Sequence, residues 1–387
     1  MPQPRVSIVT RTKNRPLLLH RAIASVLAQT MRSWEMLIVN DGGEPGPVDA
    51  AVAAVAHPAA GRIRVLHHER SHGMEAASNS ALSHARGEFV VIHDDDDTWE
   101  PDYLDACVAH MDASDPCVGG VITLSTRITE RLEADGVHRE SVEPYSTGVT
   151  AVTLIQMARE NMFPPIAFLY RRSALDTVGR YREDLPVLGD WDFNLRFLMQ
   201  FDIDVIPRPL SNYHIRPAVK SGIYSNTIVG GLDLHQKYDV RLRNGYLRDD
   251  MRQGRVGLGF LINMGRLMND QLWELRRGRM VDQVFSQLRA QGVRQFTVYG
   301  AGALGRRMAA EAAGQGFTID RIVDRNRELW GRPVEGVPVV GLDAALEQGC
   351  RTFVIASLTY AREIRQAIAQ AGASRGIDPQ VFDVQAA

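Results

Sequence analysis

The first hundred residues alternate short apolar strands with amphipathic helices, and this alternation restricts the fold more than any other feature of the chain. Arg5–Thr10 is a β-branched run that reads as a buried strand. Leu19, Ile23, Val26 and Leu27 then recur at helical spacing, with Asn14 as the expected cap and Pro16 in the first turn. Glu35–Val39 and Ile63–His67 read as further strands, and Ala50–Ala56 and Ala76–Arg86 as helices. Phe89–Ile92 is a fourth strand. The pattern predicts a mostly parallel sheet with helices on both faces. Ligands on such sheets bind beyond the C-terminal strand ends. Asp41 closes the second strand there, and Asp94, Asp95, Asp96 and Asp97 close the fourth.

The 387 residues exceed one ordinary core, so about two or three domains are expected. A net charge of -2 gives no sign of nucleic acid or an anionic surface as partner. Cys107, Cys117 and Cys350 lack metal-site spacing and suit a reducing cytoplasm. No signal-peptide pattern opens the chain, and no run of about 18 apolar residues occurs. A cytoplasmic protein is expected, with peripheral contact at the inner face of a membrane and homo-oligomerisation left open.

Four adjacent aspartates repel one another unless they are hydrated or share a cation. In extended chain Asp94 and Asp96 face the same side, and two hard oxygen donors suit Mg²⁺ or Mn²⁺ held jointly with a phosphate ligand. The bland alternative is a solvated acidic loop ahead of Trp99. Four segments weigh against it: Val6–Pro16, Ser25–Thr30, Gly87–Asp97 and Gly189–Asp192. In this order they resemble the motifs of family 2 glycosyltransferases, enzymes of the GT-A fold, over roughly residues 5 to 216.

That resemblance implies a nucleoside diphosphate sugar donor, UDP- or dTDP-linked, a glycan or lipid-linked acceptor and a role in bacterial cell-surface polysaccharide synthesis. It places Thr10, Arg11, Thr12 and Asn14 in the nucleotide loop, with Arg11 and Lys13 where Pro or Thr and an aromatic are usual. Asp41 is expected at the base, and Asn79 beside the diphosphate, although the arginine that often precedes it is Ser78 here. Asp94 and Asp95 are expected at ribose or metal-bound water, and Asp96, with Asp94 and His214, at the metal. Arg216 is an alternative phosphate grip. Asp190 is the expected general base of an inverting transfer, with Asp192 as runner-up. A nucleotidyltransferase of the same fold class would carry a Gly-rich loop after the first strand, and Thr10–Arg15 has no glycine. A nucleotide-sugar-binding protein without transfer is the other alternative, and retention of both Asp96 and Asp190 argues against it.

The expected division is a GT-A domain over 1–227, a charged helical connector over 228–290 and a small Rossmann-like α/β domain over 291–387. In the last, Gly300, Gly302 and Gly305 lie between a strand and a helix, and Asp324 closes the next strand. Two readings stay open: a second nucleotide site, or a ligand-free module used for packing.

Overall fold

The structure, a computed structural model, describes residues 3–59, 61–133, 136–145, 148–219, 222–226 and 232–384. The chain separates into two compact units, Met1–Met268 and Asn269–Ala387. Their boundary falls inside the helix Leu258–Ala290, within the stretch expected to form a helical connector.

The first unit is built on a nine-stranded sheet: β1 (Val6–Thr12), β2 (Trp34–Asp41), β3 (Ile63–His68), β4 (Phe89–Ile92), β5 (Thr98–Trp99), β6 (Val118–Glu133), β7 (Gly136–Pro144), β8 (Phe168–Arg171) and β9 (Asp202–Ile215). The order is β3-β2-β1-β4-β8-β6-β9-β5, with β7 hairpinned on β6. β3, β2, β1 and β4 are parallel, β8 runs against β4 and β6, and β9 is parallel to β6. This mixed α/β architecture agrees with the fold class expected.

Successive residues of the central strands feed opposite cores, as strand geometry demands. Val9, Leu37, Val39, Val90 and Ile92 join one cluster with Ala77, Trp191, Phe193 and Phe197. Val6, Ile8, Met36, Ile38 and Val91 join the other with Leu19, Ile23, Tyr103 and Met111. Helices therefore cover both faces, and the functional groups are left at the strand ends. Leu242 from the helix Leu232–Arg252, with Leu258 and Ile262 from the start of the helix Leu258–Ala290, completes the first cluster.

Some local expectations change. Asn14 does not cap the first helix. It takes a left-handed φ of 57° and its Oδ1 accepts the Glu44 N–H at 2.8 Å, tying the loop after β1 to the turn after β2. The 126–144 region, for which no element was expected, is a long hairpin.

In the second unit the sheet order is β12-β13-β11-β10-β14-β15, where β10 is Gln295–Tyr299, β11 Thr318–Val323, β12 Pro333–Val334, β13 Val337–Val340, β14 Thr352–Ile355 and β15 Gln380–Asp383. All pairs are parallel except β12 with β13. Phe285, Phe296 and Phe317 lie within its main core. No described helix is long and apolar enough to cross a membrane.

Candidate active site

β1 and β4 are parallel neighbours at the centre of the first sheet, so their C-terminal ends open on one edge. A cleft of ≈800 Å³ lies there, lined by Arg11–Arg15, Asp41, Glu75, Asp94–Asp97, Asn161, Asp190 and Tyr213, among others. The far side of the acidic run is anchored by Trp99, which stacks on Tyr103 and donates from its ring N–H to the Ile166 carbonyl at 2.8 Å.

Each aspartate of the run has its own partner. Asp94 Oδ1 accepts Arg11 Nε at 3.0 Å and Nη2 at 2.5 Å. Asp95 Oδ1 accepts Arg15 at 3.1 Å. Asp96 Oδ2 accepts the fully buried Arg216, and Asn226 at 3.3 Å. Asp97 Oδ1 accepts the His214 N–H at 2.9 Å. Burial pushes Asp95 up to about 7 despite Arg15, and holds Asp97 well above the usual range, reinforced by Asp96 and Asp94. Among the described residues the arginines use one oxygen each of Asp94 and Asp96, and Asp94 Oδ2 and Asp96 Oδ1 accept no hydrogen bond.

No described group of three His, Cys, Asp or Glu forms a metal cage. Two oriented carboxylates nevertheless fit Mg²⁺ or Mn²⁺, which commonly take one or two carboxylates and complete their shell with substrate phosphates and water. His214 is a correction. β9 alternates, so Tyr213 lines the cleft while the His214 ring turns away. Its Nδ1 pairs with Glu130 at 2.6 Å and its Nε2 with Thr98 Oγ1 at 2.9 Å, leaving no nitrogen for a cation. Glu130 also receives Arg21 and Arg216. Burial opposes its ionisation, but these partners outweigh it and bring Glu130 down to about 2.

On the nucleotide side, Asp41 lines the cleft with its carboxylate already filled. Oδ1 meets His68 Nδ1 at 2.8 Å and the His72 N–H at 2.9 Å, and Oδ2 accepts Ser71 Oγ at 2.6 Å and the Gly73 N–H at 3.0 Å. It shapes the Ser71–Gly73 loop, and contact with a base requires exchange of one of these bonds. Arg11, Thr12 and Asn14 reach the cleft, but Thr10 is fully buried in β1 and does not. Asn79 also departs from expectation. Its amide clamps the Tyr181 backbone, donating to the carbonyl at 2.8 Å and accepting the N–H at 3.1 Å, and it stays off the cleft.

Asp190 lies in the first turn of the helix Gly189–Leu198 and faces the cleft. Its Oδ2 accepts Asn161 Nδ2 at 2.7 Å, and Asn161 Oδ1 accepts Asn194 Nδ2 at 3.1 Å. Burial raises its pKa, against the Trp191 N–H, Arg11 and Asn161. Asp192, the alternative base, is fully buried off the cleft, bonded to Arg196 at 2.9 Å and the Tyr246 hydroxyl at 2.7 Å.

Glu75, Asn161, Tyr145 and Tyr213 belong to the site and stand outside every motif. Glu75 lies beside Arg11 at 3.7 Å, and burial lifts it to about 7. A lone acid at a helix start was the only sequence signal for it.

In the second unit, Gly300, Gly305 and Asp324 do come together. Gly300 has φ 115°, and a Cβ on Gly305 would sit 1.9 Å from the Gly300 carbonyl oxygen. Gly302 caps the helix Ala303–Ala312. Asp324 accepts the Ala301 N–H at 2.7 Å and the Asn326 N–H at 2.8 Å, so its carboxylate closes the glycine loop.

Residues 7–179 match Glycosyl transferase family 2. The chain is 28% identical over 206 residues to the uncharacterized glycosyltransferase YwdF of Bacillus subtilis (strain 168), covering 52% of this chain and 71% of that one. It is 27% identical over 200 residues to the PGL/p-HBAD biosynthesis glycosyltransferase of Mycobacterium tuberculosis (strain ATCC 25177 / H37Ra), covering 51% and 70%. The crystal structure of S. aureus TarS 1-349 in complex with UDP aligns with a TM-score of 0.45 and 20% identity, over 55% of this chain and 61% of that one. The match takes in the greater part of the unit that carries the cleft, and that unit is similar to family 2 glycosyltransferases.

Proposed function

We propose that this protein transfers a sugar from a UDP- or dTDP-linked donor to a hydroxyl of a glycan or lipid-linked acceptor, with inversion, in cell-surface polysaccharide synthesis at the inner face of the membrane. The observation that carries this reading is the placement of a half-buried, cleft-facing Asp190 in the same cleft as the arginine-paired Asp94–Asp96.

Asp94 and Asp96 would hold Mg²⁺ or Mn²⁺. When bound, the ion offsets charge on the departing diphosphate. Arg11 holds Asp94 from β1, and Asp96 is held by Arg15, 3.6 Å away in the loop after β1, and by Arg216 from the end of β9. Asn161 fixes one oxygen of Asp190, so the other takes the acceptor proton as the hydroxyl attacks the anomeric carbon. A single base with no second carboxylate nucleophile in the expected role implies direct displacement. Burial raises the proton affinity of Asp190 and makes it a stronger base.

The C-terminal unit is read as a Rossmann-like module with its glycine loop as a second nucleotide site. Calorimetry with UDP, dTDP and GDP, with and without Mn²⁺, tests donor class and metal together. NMR of the product tests inversion. Full activity in excess EDTA removes the metal from the proposal, and a retained anomeric configuration removes the displacement.

A further inference from the structure

The half of the cleft around Asp190 differs in character from the nucleotide half. Its wall includes Phe163, Pro164, Pro165, Val187 and Leu188, and two tyrosines complete it. Tyr145 follows β7 and donates its N–H to the Ser125 carbonyl at 2.9 Å, and Tyr213 pairs in register with Arg127 on β6. The two rings thus stand on either side of the same stretch of β6, with centroids 5.4 Å apart and planes tilted by 52°. Tyr145 is 38% exposed, large for an aromatic ring in a concave wall. No described residue accepts a hydrogen bond from either hydroxyl.

We infer that Tyr145 and Tyr213 are the acceptor platform, and that the acceptor is an uncharged pyranose presenting a hydroxyl to Asp190. This rests on the glycosyl-transfer reading and narrows its acceptor. A pyranose has an apolar C–H face ringed by hydroxyls. An aromatic ring with a polar tip matches both parts, and such amphipathic rings recur where one end of a ligand is apolar and the other wet. The tilt offers two ring faces in a V instead of a flat slab, which suits one sugar unit against each ring.

Charge selects against an anionic headgroup at this position. The groups that bear on Tyr145 are Asp190, Glu160 and Asp97, with Arg127 as the cation. Arg127 is already paired with Glu143. Against Tyr145 a phosphate would meet the carboxylates of Asp190 and Glu160, with the neighbouring cation already engaged.

Saturation-transfer NMR with methyl pyranosides, in the presence of UDP and Mn²⁺, tests the platform. The full-length protein should saturate the C–H face of at least one glycoside. Tyr145→Ala and Tyr213→Ala should abolish that signal and raise the glycoside KM by about tenfold or more, while UDP affinity stays within about threefold of wild type. Tyr145→Phe and Tyr213→Phe should retain most of the signal, and they guard against a misfolded alanine variant. Glycoside binding that survives both alanine changes overturns the inference. So does transfer to a polyprenyl phosphate in micelles with none to any glycoside. Failure of UDP, dTDP and GDP to bind overturns the transferase reading itself, and this inference with it.

Discussion

Asp190 and Asp192 stand two residues apart on one helix, about 200° around its axis, and so meet opposite surroundings. Asp190 faces the cleft, and Asp192 is locked by Arg196 and Tyr246. Asp190→Asn should lower turnover by about 10² to 10⁴ with UDP affinity little changed. Asp192→Asn should instead lower thermal stability, because it breaks a buried ion pair at a cost of roughly 3–5 kcal/mol. Steady-state kinetics and thermal melts on both variants separate the roles. Since burial raises the pKa of Asp190, the acid limb of the rate profile should lie above the usual carboxylate range, with activity lost as pH falls through it. Glu75 gives a stability signature. Its pKa rises from 4.5 to about 7 in the folded state, so the folded protein holds the extra proton between those values. Stability from this residue is therefore greatest below pH 4.5 and declines as pH rises through 7, by a few kcal/mol in order of magnitude. Glu75→Gln should flatten the melting temperature across pH 5 to 8; an unchanged slope would refute the assignment. The common cleft of Asp94, Asp96 and Asp190 was legible because each sits in a segment at an element end. Glu75, Asn161 and the tyrosines were not, because only folding brings residues 75, 145, 161 and 213 together.

The helix Gly189–Leu198 begins with a glycine for a reason of packing. A Cβ on Gly189 would lie 2.4 Å from the Glu75 carboxyl carbon. Alanine is the better helix former by about 1 kcal/mol, so Gly189→Ala would stabilise an isolated helix. Here it should destabilise the fold and reduce turnover, because either Glu75 or the turn holding Asp190 must move. In a Glu75→Ala background the same change should turn neutral or stabilising. A double-mutant cycle on melting temperature measures the coupling, and additive effects would falsify this account. The strands β1 to β4 were readable because continuous β-branched runs admit little else. The hairpin β6–β7 escaped because its outer half, Thr126 to Pro144, is polar and its strength comes from pairing along β6 with β9. Asn14 misled for a related reason: its side chain suits a helix cap and a left-handed turn alike, and the turn won through its bond to Glu44.

At the scale of the whole molecule, the match to family 2 ends at residue 179, but the unit that carries the cleft does not. Leu242, Leu258 and Ile262 fill its core, and Arg243 lies over the Trp191 ring. A chain cut near residue 227 should therefore aggregate. One cut near Met268 should fold and bind UDP with nearly full-length affinity, as gel filtration and calorimetry can establish. Composition predicted a charged helical stretch over 228–290, within which Leu232–Arg252 and Leu258–Ala290 are helices, yet it could not show which core they complete, since charged exposed faces dominate their sequence. The long strand β9 ties the unit together in another way. It presents Tyr213 to the cleft and turns the His214 ring toward Glu130, and its register against β6 shifts between Thr123 and Ser125. Deleting one residue between that irregularity and Tyr213 would exchange the two side chains, burying a tyrosine among charges and stripping the cleft of its ring. Descendants of this chain should therefore tolerate substitution at the other positions of β9 more readily than a change of one in their number. Length variation should be confined to the register irregularities, where an extra residue can be absorbed, and to the loops beyond the strand.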